Sequence, residues 1–466
     1  MRGPVTPRRV LAVLSHSLHI RNFVASGLLD LLRARGHRLT AVVPAAFVAR
    51  VAADLGGEGA VSVEPLEPHV GGRVRQRVRA VLRTASYVRR EALSTYRHKL
   101  AVRTRTVRGA LEVRLLRALG RLGDLEAMAR AAEAAIPVQR SAVALIRRTA
   151  PDTVLIPTFI HDALDVEIAK AARAAGVPVV GCPVSWDTLT SKGFFLVVPD
   201  ELAVWGEDTL RHAVEYHGVA PERVAVTGPP HFDIYGPTWE APGRARFLAA
   251  RGIDPETRVI LFAGTTVTYW ADEPLQLRAL SGAIGRGELG RCLVWYRPHP
   301  RRSYRDVSEL AGLPGVWIDD QIMRQKVSSA SSYSVEREDL AHYRGLIDAC
   351  DGVVTSFSTL IIEAALMGKP SLVVAYGLGD QTPDRLLQHS EYEHMRDVIS
   401  TPGVTLCRSL PETLEGLRRI VRGDFAPYAE VLRKRASEIA HCLDGRARER
   451  LVEVIERSAA RRGPGV

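Results

Sequence analysis

The side chains able to do chemistry sit in short loops that each follow an apolar run. The densest is Thr355-Ser-Phe-Ser-Thr-Leu-Ile-Ile-Glu-Ala-Ala-Leu-Met-Gly-Lys-Pro370, with hydroxyls at Ser356, Ser358 and Thr359 and a helical pattern that stops at Gly368. Ser358 or Thr359 can cap that helix, whose free N–H groups and positive dipole end offer an anion site suited to a diphosphate. Glu363, four or five residues in, could accept hydrogen bonds from ribose hydroxyls; it reads equally well as a solvent-facing glutamate. Two shorter loops lie upstream. Ala263-Gly-Thr-Thr-Val267 carries Gly264 and Thr265 and reads as a tight turn needing glycine for its backbone angles. In Trp295-Tyr-Arg-Pro-His-Pro300 the prolines fix a turn, and Arg297 and His299 could contact phosphate or the transferred group, or His299 could be structural.

The first half of the chain holds a different set. Ser15-His-Ser-Leu-His-Ile-Arg-Asn22 supplies His16 and His19, candidate general bases because imidazole titrates near neutral pH and an attacking hydroxyl must lose a proton. His16 is preferred, and either could instead orient an acceptor. His161 and Asp162 form a second acid/base pair on the acceptor side. Ser185-Trp-Asp-Thr-Leu-Thr-Ser-Lys-Gly193 contributes Asp187, as base or as a holder of the acceptor, and Lys192, which could meet phosphate; a surface loop packed around Trp186 is the plainer reading.

Positioning these loops requires alternating strands and helices. Strands are expected at Arg9–Ser15, His37–Pro44, 151–157, 177–181, 201–205 and 224–228, with helices at Phe23–Arg35 and 163–175. Pro237, Pro242 and Gly243 mark a linker and entry helix, after which a second series has strands at 258–263, 291–297, 316–318, 351–355 and 371–374. Two α/β halves, residues 1–233 and 234–466, put the expected ligand cleft between them, at the carboxyl ends of parallel strands.

Bulk properties narrow the class. The 466 residues exceed what one core usually serves, and 46% apolar with 25% charged residues is ordinary for a soluble globular protein. Five scattered cysteines without a C-x-x-C pair argue against a disulfide framework or a zinc ribbon and fit a reducing cytoplasm. Val10–Leu14 is too short for a signal-peptide core, and no apolar run approaches the roughly 20 residues of a membrane span. No metal-ligand cluster is apparent. Between Gly71 and Arg121, fifteen Arg or Lys face two Glu, giving +13 in a chain whose net charge is +11.

The S-x-S-T-x-x-x-E-A-x-x-x-G-K-P pattern at Ser356–Pro370 resembles the nucleotide-sugar segment of GT-B glycosyltransferases, and that of the related sugar-nucleotide epimerases and CDP-glycerol transferases. Trp295–Pro300 is similar to the R-P-H-P strand end of surface-polysaccharide and CDP-glycerol transferases. Val226-Thr-Gly-Pro-Pro-His-Phe-Asp233 resembles the segment joining the halves in these families, and Ser185–Gly193 a loop of bacterial surface-carbohydrate transferases, with Thr188 where Asn is usual. The resemblance excludes roughly 71–150. It implies an α/β GT-B fold of two Rossmann-like doubly wound domains facing a cleft, an acceptor-binding N-terminal domain and a donor-binding C-terminal one. It further implies diphosphate contacts from Ser358 and Thr359, a ribose contact from Glu363, backbone near phosphate at Gly264, and commonly no bound metal. Thr355 stands where many retaining members carry a second glutamate, so the stereochemical class is not carried over.

The expected function is transfer of a sugar from a nucleotide-sugar co-substrate, with no other cofactor, to a surface glycan or lipid-linked acceptor. A CDP-alcohol phosphotransferase and a sugar-nucleotide 2-epimerase share the fold, and a non-catalytic membrane-surface protein is the rival of another class. The Arg-rich helical insertion at about 71–150 has only Tyr87 and Tyr96 as aromatics in its basic part, which disfavours single-stranded nucleic acid. Arginines alternating with Val and Leu over Arg73–Arg83 suit a helix lying on an anionic membrane, or a solvated face. The protein is accordingly expected to be cytoplasmic and peripheral on the inner membrane face.

Overall fold

A computed structural model describes residues 6–56, 61–67, 72–157, 163–237, 239–267, 269–299, 302, 307–319, 337–379, 386–441 and 444–461. His161 and Asp162 lie outside them, as does Pro300. The chain divides into two compact units, Met1–Asp233 with Arg446–Val466, and Ile234–Gly445.

The first unit is built on seven parallel strands, β1 (Arg9–Val13), β2 (Arg38–Val43), β3 (Val61–Pro65), β4 (Thr153–Ile156), β5 (Val179–Gly181), β6 (Glu201–Val204) and β7 (Val224–Val226), in the order β3-β2-β1-β4-β5-β6-β7. β4, β5 and β6 are buried along their whole length and are mostly apolar, with Thr153 and Glu201 the polar exceptions at the starts of β4 and β6. Helices α1 (Leu28–Ala34) and α2 (Val48–Leu55) follow β1 and β2. The single helix expected over Phe23–Arg35 is split: Ile20–Ala25 is a wide π-helical turn, and Gly27 takes φ 84° before α1 starts. The left-handed backbone calls for glycine here, and a Cβ would also displace the end of Arg448, whose Nη1 would stand 2.9 Å away.

Between β3 and β4 lie the insertion helices α3 (Arg73–Arg89), α4 (Ser94–Arg103), α5 (Val107–Leu122), α6 (Leu125–Ala135) and α7 (Arg140–Thr149); α8 (Ala163–Ala174) and α9 (Glu207–His217) follow later strands. The insertion has a small core of its own, including Val88, Leu100, Val113 and Leu116. Within the basic stretch Arg73–Arg83, expected to face an anionic membrane or solvent, Arg79 departs from that expectation. Arg79 is buried, with Nη2 2.6 Å from Glu133 and 2.7 Å from Glu167, and Lys170 joins Glu133 at 3.2 Å. Arg90 is likewise buried, 3.0 Å from Glu126. The acids that neutralise these arginines come from α6 and α8, beyond the basic window, so the sequence count overstates the surface charge.

The second unit carries β8 (Arg258–Ala263), β9 (Cys292–Arg297), β10 (Val316–Ile318), β11 (Gly352–Thr355), β12 (Ser371–Val374) and β13 (Val404–Cys407), all parallel, in the order β10-β9-β8-β11-β12-β13. Its helices are α10 (Glu273–Gly285), α11 (Arg337–Ala349), α12 (Leu360–Leu366), α13 (Leu410–Arg422) and α14 (Ala429–Ala440). In both units the strand order reverses beside the first strand.

The expected second half, 234–466, is too long. The last helix, α15 (Ala447–Ala460), belongs to the first unit. Asp233 receives the start of α15: its carboxylate accepts from the backbone N–H groups of Ala447 (2.8 Å) and Arg448 (3.0 Å) and from Arg448 Nε (2.8 Å). That gives the Phe-Asp end of the 226–233 motif an architectural task. Farther along, Glu456 meets His37 at 2.9 Å and Arg457 meets Glu201 at 3.1 Å. Among the described residues no helix is long and apolar enough to cross a membrane.

Candidate functional site

β8 and β11 are neighbours with Ala263 opposite Thr355, so the loops beginning at Gly264 and Ser356 leave one sheet edge side by side. This is where the strand order reverses, and open parallel sheets take ligands at that point. Thr355 Oγ1 donates to the Ala263 carbonyl at 3.0 Å and ties the two strand ends together. Just beyond, Thr265 (8% exposed) and Ser356 (0% exposed) bury hydroxyl oxygens that have no hydrogen-bond partner among the described residues. A buried polar group left unsatisfied costs about 1–3 kcal/mol. Two of them on adjacent strand ends are suited to the oxygens of a phosphate.

Gly264 does not have the left-handed backbone that a tight turn would need. What excludes a side chain is crowding: a Cβ would stand 2.5 Å from Glu273 Oε1 and 3.0 Å from the His299 amide nitrogen. Glu273, at the start of α10, is fully buried and shapes this loop. It accepts from the Thr265 amide (2.8 Å) and the Tyr296 hydroxyl (2.6 Å) and pairs with Arg302 Nε at 2.8 Å. Burial pushes its carboxyl pKa up, and these partners offset the shift only in part. Sequence reasoning missed Glu273. Asp272-Glu-Pro274 signals a helix start, but nothing local shows that the glutamate turns inward.

His299 therefore lies beside the Gly264 turn, whereas Arg297 is engaged elsewhere. Its Nη1 is 2.9 Å from Asp319 Oδ2 and its guanidinium lies over the Tyr343 ring at 4.7 Å. Burial opposes ionisation of Asp319, yet Arg297 and His342, the latter 3.2 Å away, hold its carboxyl well below the usual range. Arg297 thus already carries a carboxylate partner, which the expectation of a phosphate contact did not include.

The third loop also differs from expectation. α12 runs from Leu360 to Leu366 and is closed by Gly368, which takes φ 69° as the stop residue, and Ser358 provides a side-chain contact, accepting from the Leu360 amide at 3.3 Å. Thr359 makes no side-chain cap. Ile361 and Ile362 bond back three residues to the carbonyls of Ser358 and Thr359, a tight first turn that leaves a seven-residue helix with a weak dipole. Glu363 is buried rather than solvent-facing, and its Oε2 accepts from the Tyr235 hydroxyl at 2.6 Å. Beside Ser356, Phe357 stacks on His389 at 5.5 Å, with Tyr269 5.0 Å from the same imidazole. This aromatic cluster was not legible in advance, because its members lie far apart in sequence.

In the first unit, His16 is exposed just after β1 and His19 is buried, their rings edge-on at 5.1 Å. Ser15 Oγ lies 3.4 Å from His19 Nδ1. Asp187 sits after β5, two strands away along the same edge. Its carboxylate is engaged within its own loop, with Ser185 on Oδ1 and Ser191 donating to Oδ2 at 2.7 Å, so it organises that loop. Lys192 is half exposed and 4.0 Å from Asp187. The insertion supports this loop, since the Gly193 amide donates to Tyr96 Oη at 3.1 Å and Lys99 Nζ donates to the Ser191 carbonyl.

Among the described residues no group of three or more His, Cys, Asp or Glu is placed to hold a metal ion. No protein-family model matches the sequence, and no curated protein does. Solved structures do. A UDP-N-acetylglucosamine 2-epimerase from Neisseria meningitidis, bound to UDP-GlcNAc, is 12% identical with TM-score 0.53, covering 96% of this chain and 100% of that one. The calicheamicin glycosyltransferase CalG4 is 14% identical with TM-score 0.53, covering 98% and 100%. The kitacinnamycin glycotransferase is 14% identical with TM-score 0.52, covering 97% and 99%. The shared architecture is the GT-B fold of two Rossmann-like α/β domains.

Proposed function

We propose that the protein is a glycosyltransferase that moves a sugar from a nucleotide-sugar donor to a surface-glycan or lipid-linked acceptor. The observation that carries this reading is the pair of buried, partnerless hydroxyls of Thr265 and Ser356 at the β8/β11 switch point. They receive the donor diphosphate, with the crowded Gly264 turn bringing main chain close to it. Glu363 serves the ribose, and the Phe357, Tyr269 and His389 cluster offers a face for the base or sugar. On the acceptor side, His16 takes the proton of the attacking hydroxyl, and His19 holds its ring. The presence of epimerases among the similar structures favours sugar-nucleotide 2-epimerisation as the second reading. Incubation with UDP-, GDP- and CDP-sugars and a membrane-derived acceptor fraction separates the two. Acceptor-dependent release of nucleoside diphosphate with sugar on the acceptor is expected; epimer or free sugar formed equally without acceptor would support the second reading and sink the first.

An apolar stripe that α5 turns to solvent supports the reading of an acceptor held at an anionic bilayer. Val107, Leu111, Leu115 and Leu122 recur on one side of the helix and are between 59% and 84% exposed, while Val113 and Leu116 face the insertion core. Arg108 borders the stripe on one side, and Arg114, Arg117 and Arg121, also exposed, on the other. Such a rim fits lipid phosphates and would repel a second copy of itself, which disfavours self-association through the stripe. Flotation with vesicles containing phosphatidylglycerol is expected to capture the protein, and Leu111→Glu with Leu115→Glu to weaken capture roughly ten-fold or more. Equal capture of both forms would remove α5 from the account.

A further inference from the structure

α3 and α4 border an open surface cavity of about 470 Å³ that none of the roles above uses. Both helices contribute side chains with helical spacing: Arg83 and Tyr87 from α3, and His98, Lys99, Val102 and Arg103 from α4. Among the described residues no carboxylate lines it. The nearest acid on α5, Glu112, pairs with Arg103 at 2.7 Å, which ties the cavity rim to the helix carrying the apolar stripe. Arg83 also borders a smaller cavity together with Lys192 and Gly193, on the side of the Asp187 loop.

Lys99 is the pivot of this arrangement. Its ammonium lies 5.1 Å from the Tyr87 ring centre and 5.7 Å from that of Tyr96, the two rings stacking at 5.5 Å. It is anchored from behind by the Ser191 carbonyl. Burial lowers its pKa to about 8, helped by the like charges of Lys192 and Arg83 and opposed by Asp187, whose oxygens are engaged by Ser185 and Ser191. Several cations gathered around a concave, partly desolvated space make up an anion site, and a tetrahedral oxyanion that can be approached from several sides is the chemistry that arginine and lysine recognise together.

We propose that the cavity between α3 and α4 binds a phosphate or diphosphate group, and that this group belongs to the acceptor, an assignment resting on the lipid-linked reading given above. A prenyl diphosphate would place its phosphates against Arg83, Lys99 and Arg103, with its chain free to run toward Val102 and the apolar stripe.

The test is calorimetric titration of the full-length protein with inorganic pyrophosphate, farnesyl diphosphate and soluble dihexanoyl phosphatidylglycerol, with saturating UDP present to occupy the donor switch point. Pyrophosphate and farnesyl diphosphate are expected to bind at one site, farnesyl diphosphate more tightly. Arg83→Gln with Arg103→Gln, both at exposed positions, is expected to weaken each roughly ten-fold or more, and Lys99→Gln to do the same. Absence of binding, or binding unchanged in these variants, overturns the site. Phosphatidylglycerol binding as tightly as farnesyl diphosphate overturns the acceptor assignment and makes the cavity a bilayer headgroup site. None of these titrations requires sugar transfer, so failure of the proposed reaction would show separately, as absence of product with phosphate binding intact.

Discussion

His16→Ala is expected to lower kcat by ~10²–10⁴-fold, the usual contribution of a positioned general base, while leaving nucleotide affinity unchanged. The selectivity of that loss is the point. His16 is exposed immediately after β1, at the position where the first unit's strand order reverses, and belongs to a different unit from the loops assigned to the donor. His19 is buried and held near Ser15, so it can fix the ring of His16 but is less able to reach an acceptor. The measurement is nucleoside diphosphate release with the acceptor-bearing membrane fraction, alongside calorimetry with nucleotide alone. Full turnover in His16→Ala would remove the imidazole from the mechanism and return attention to other groups on that edge.

Glu273→Ala is expected to destabilise the second unit by about 3–5 kcal/mol, because it leaves the buried Arg302 guanidinium without its counter-charge. The same change frees the Thr265 amide and the Tyr296 hydroxyl, so the Gly264 turn loses the group that shapes it. Against a typical total stability of about 5–15 kcal/mol, such a loss would be read easily in denaturant unfolding followed by the fluorescence of Trp270 and Trp295, both buried in this unit. Glu273→Gln keeps the shape and removes only the charge, so a smaller loss is expected for it. An unshifted midpoint in Glu273→Ala would mean that Arg302 finds another partner and that the network does not hold the loop.

Much of the fold was legible because central parallel strands are buried on both faces. Arg258–Ala263 and Ser371–Val374, both inside the second sheet, appear where the apolar runs place them. β3 and β13 were passed over, and both are edge strands: Val61–Pro65 is half exposed and includes Glu64 and Pro65, and Val404–Cys407 is only partly buried, so neither forms a pronounced apolar run. The return of α15 to the first unit was invisible because it depends on Asp233, more than two hundred residues earlier, meeting the Ala447 and Arg448 amides. The site divides in the same way. Strand-end hydroxyls and glycines could be found by spacing, since Ser356, Thr265 and Gly264 follow apolar runs directly. Glu273, Asp319 and His389 could not, because their roles arise from burial and cross-sequence pairing. Such pairing also gives Arg297 its carboxylate partner, Asp319, whereas Asp187 is held within its own loop.

The central claim is that a nucleotide-sugar diphosphate binds where β8 and β11 end. Calorimetric titration of the nucleotide sugar that most stabilises the protein, against the natural chain and against Thr265→Val with Ser356→Ala, tests it most directly. Both substitutions keep the side-chain bulk nearly unchanged and remove only hydroxyls that lack partners, so folding should be unharmed. The account predicts measurable binding to the natural chain and a loss of roughly ten-fold or more in the double variant; equal affinity for the two proteins would contradict it.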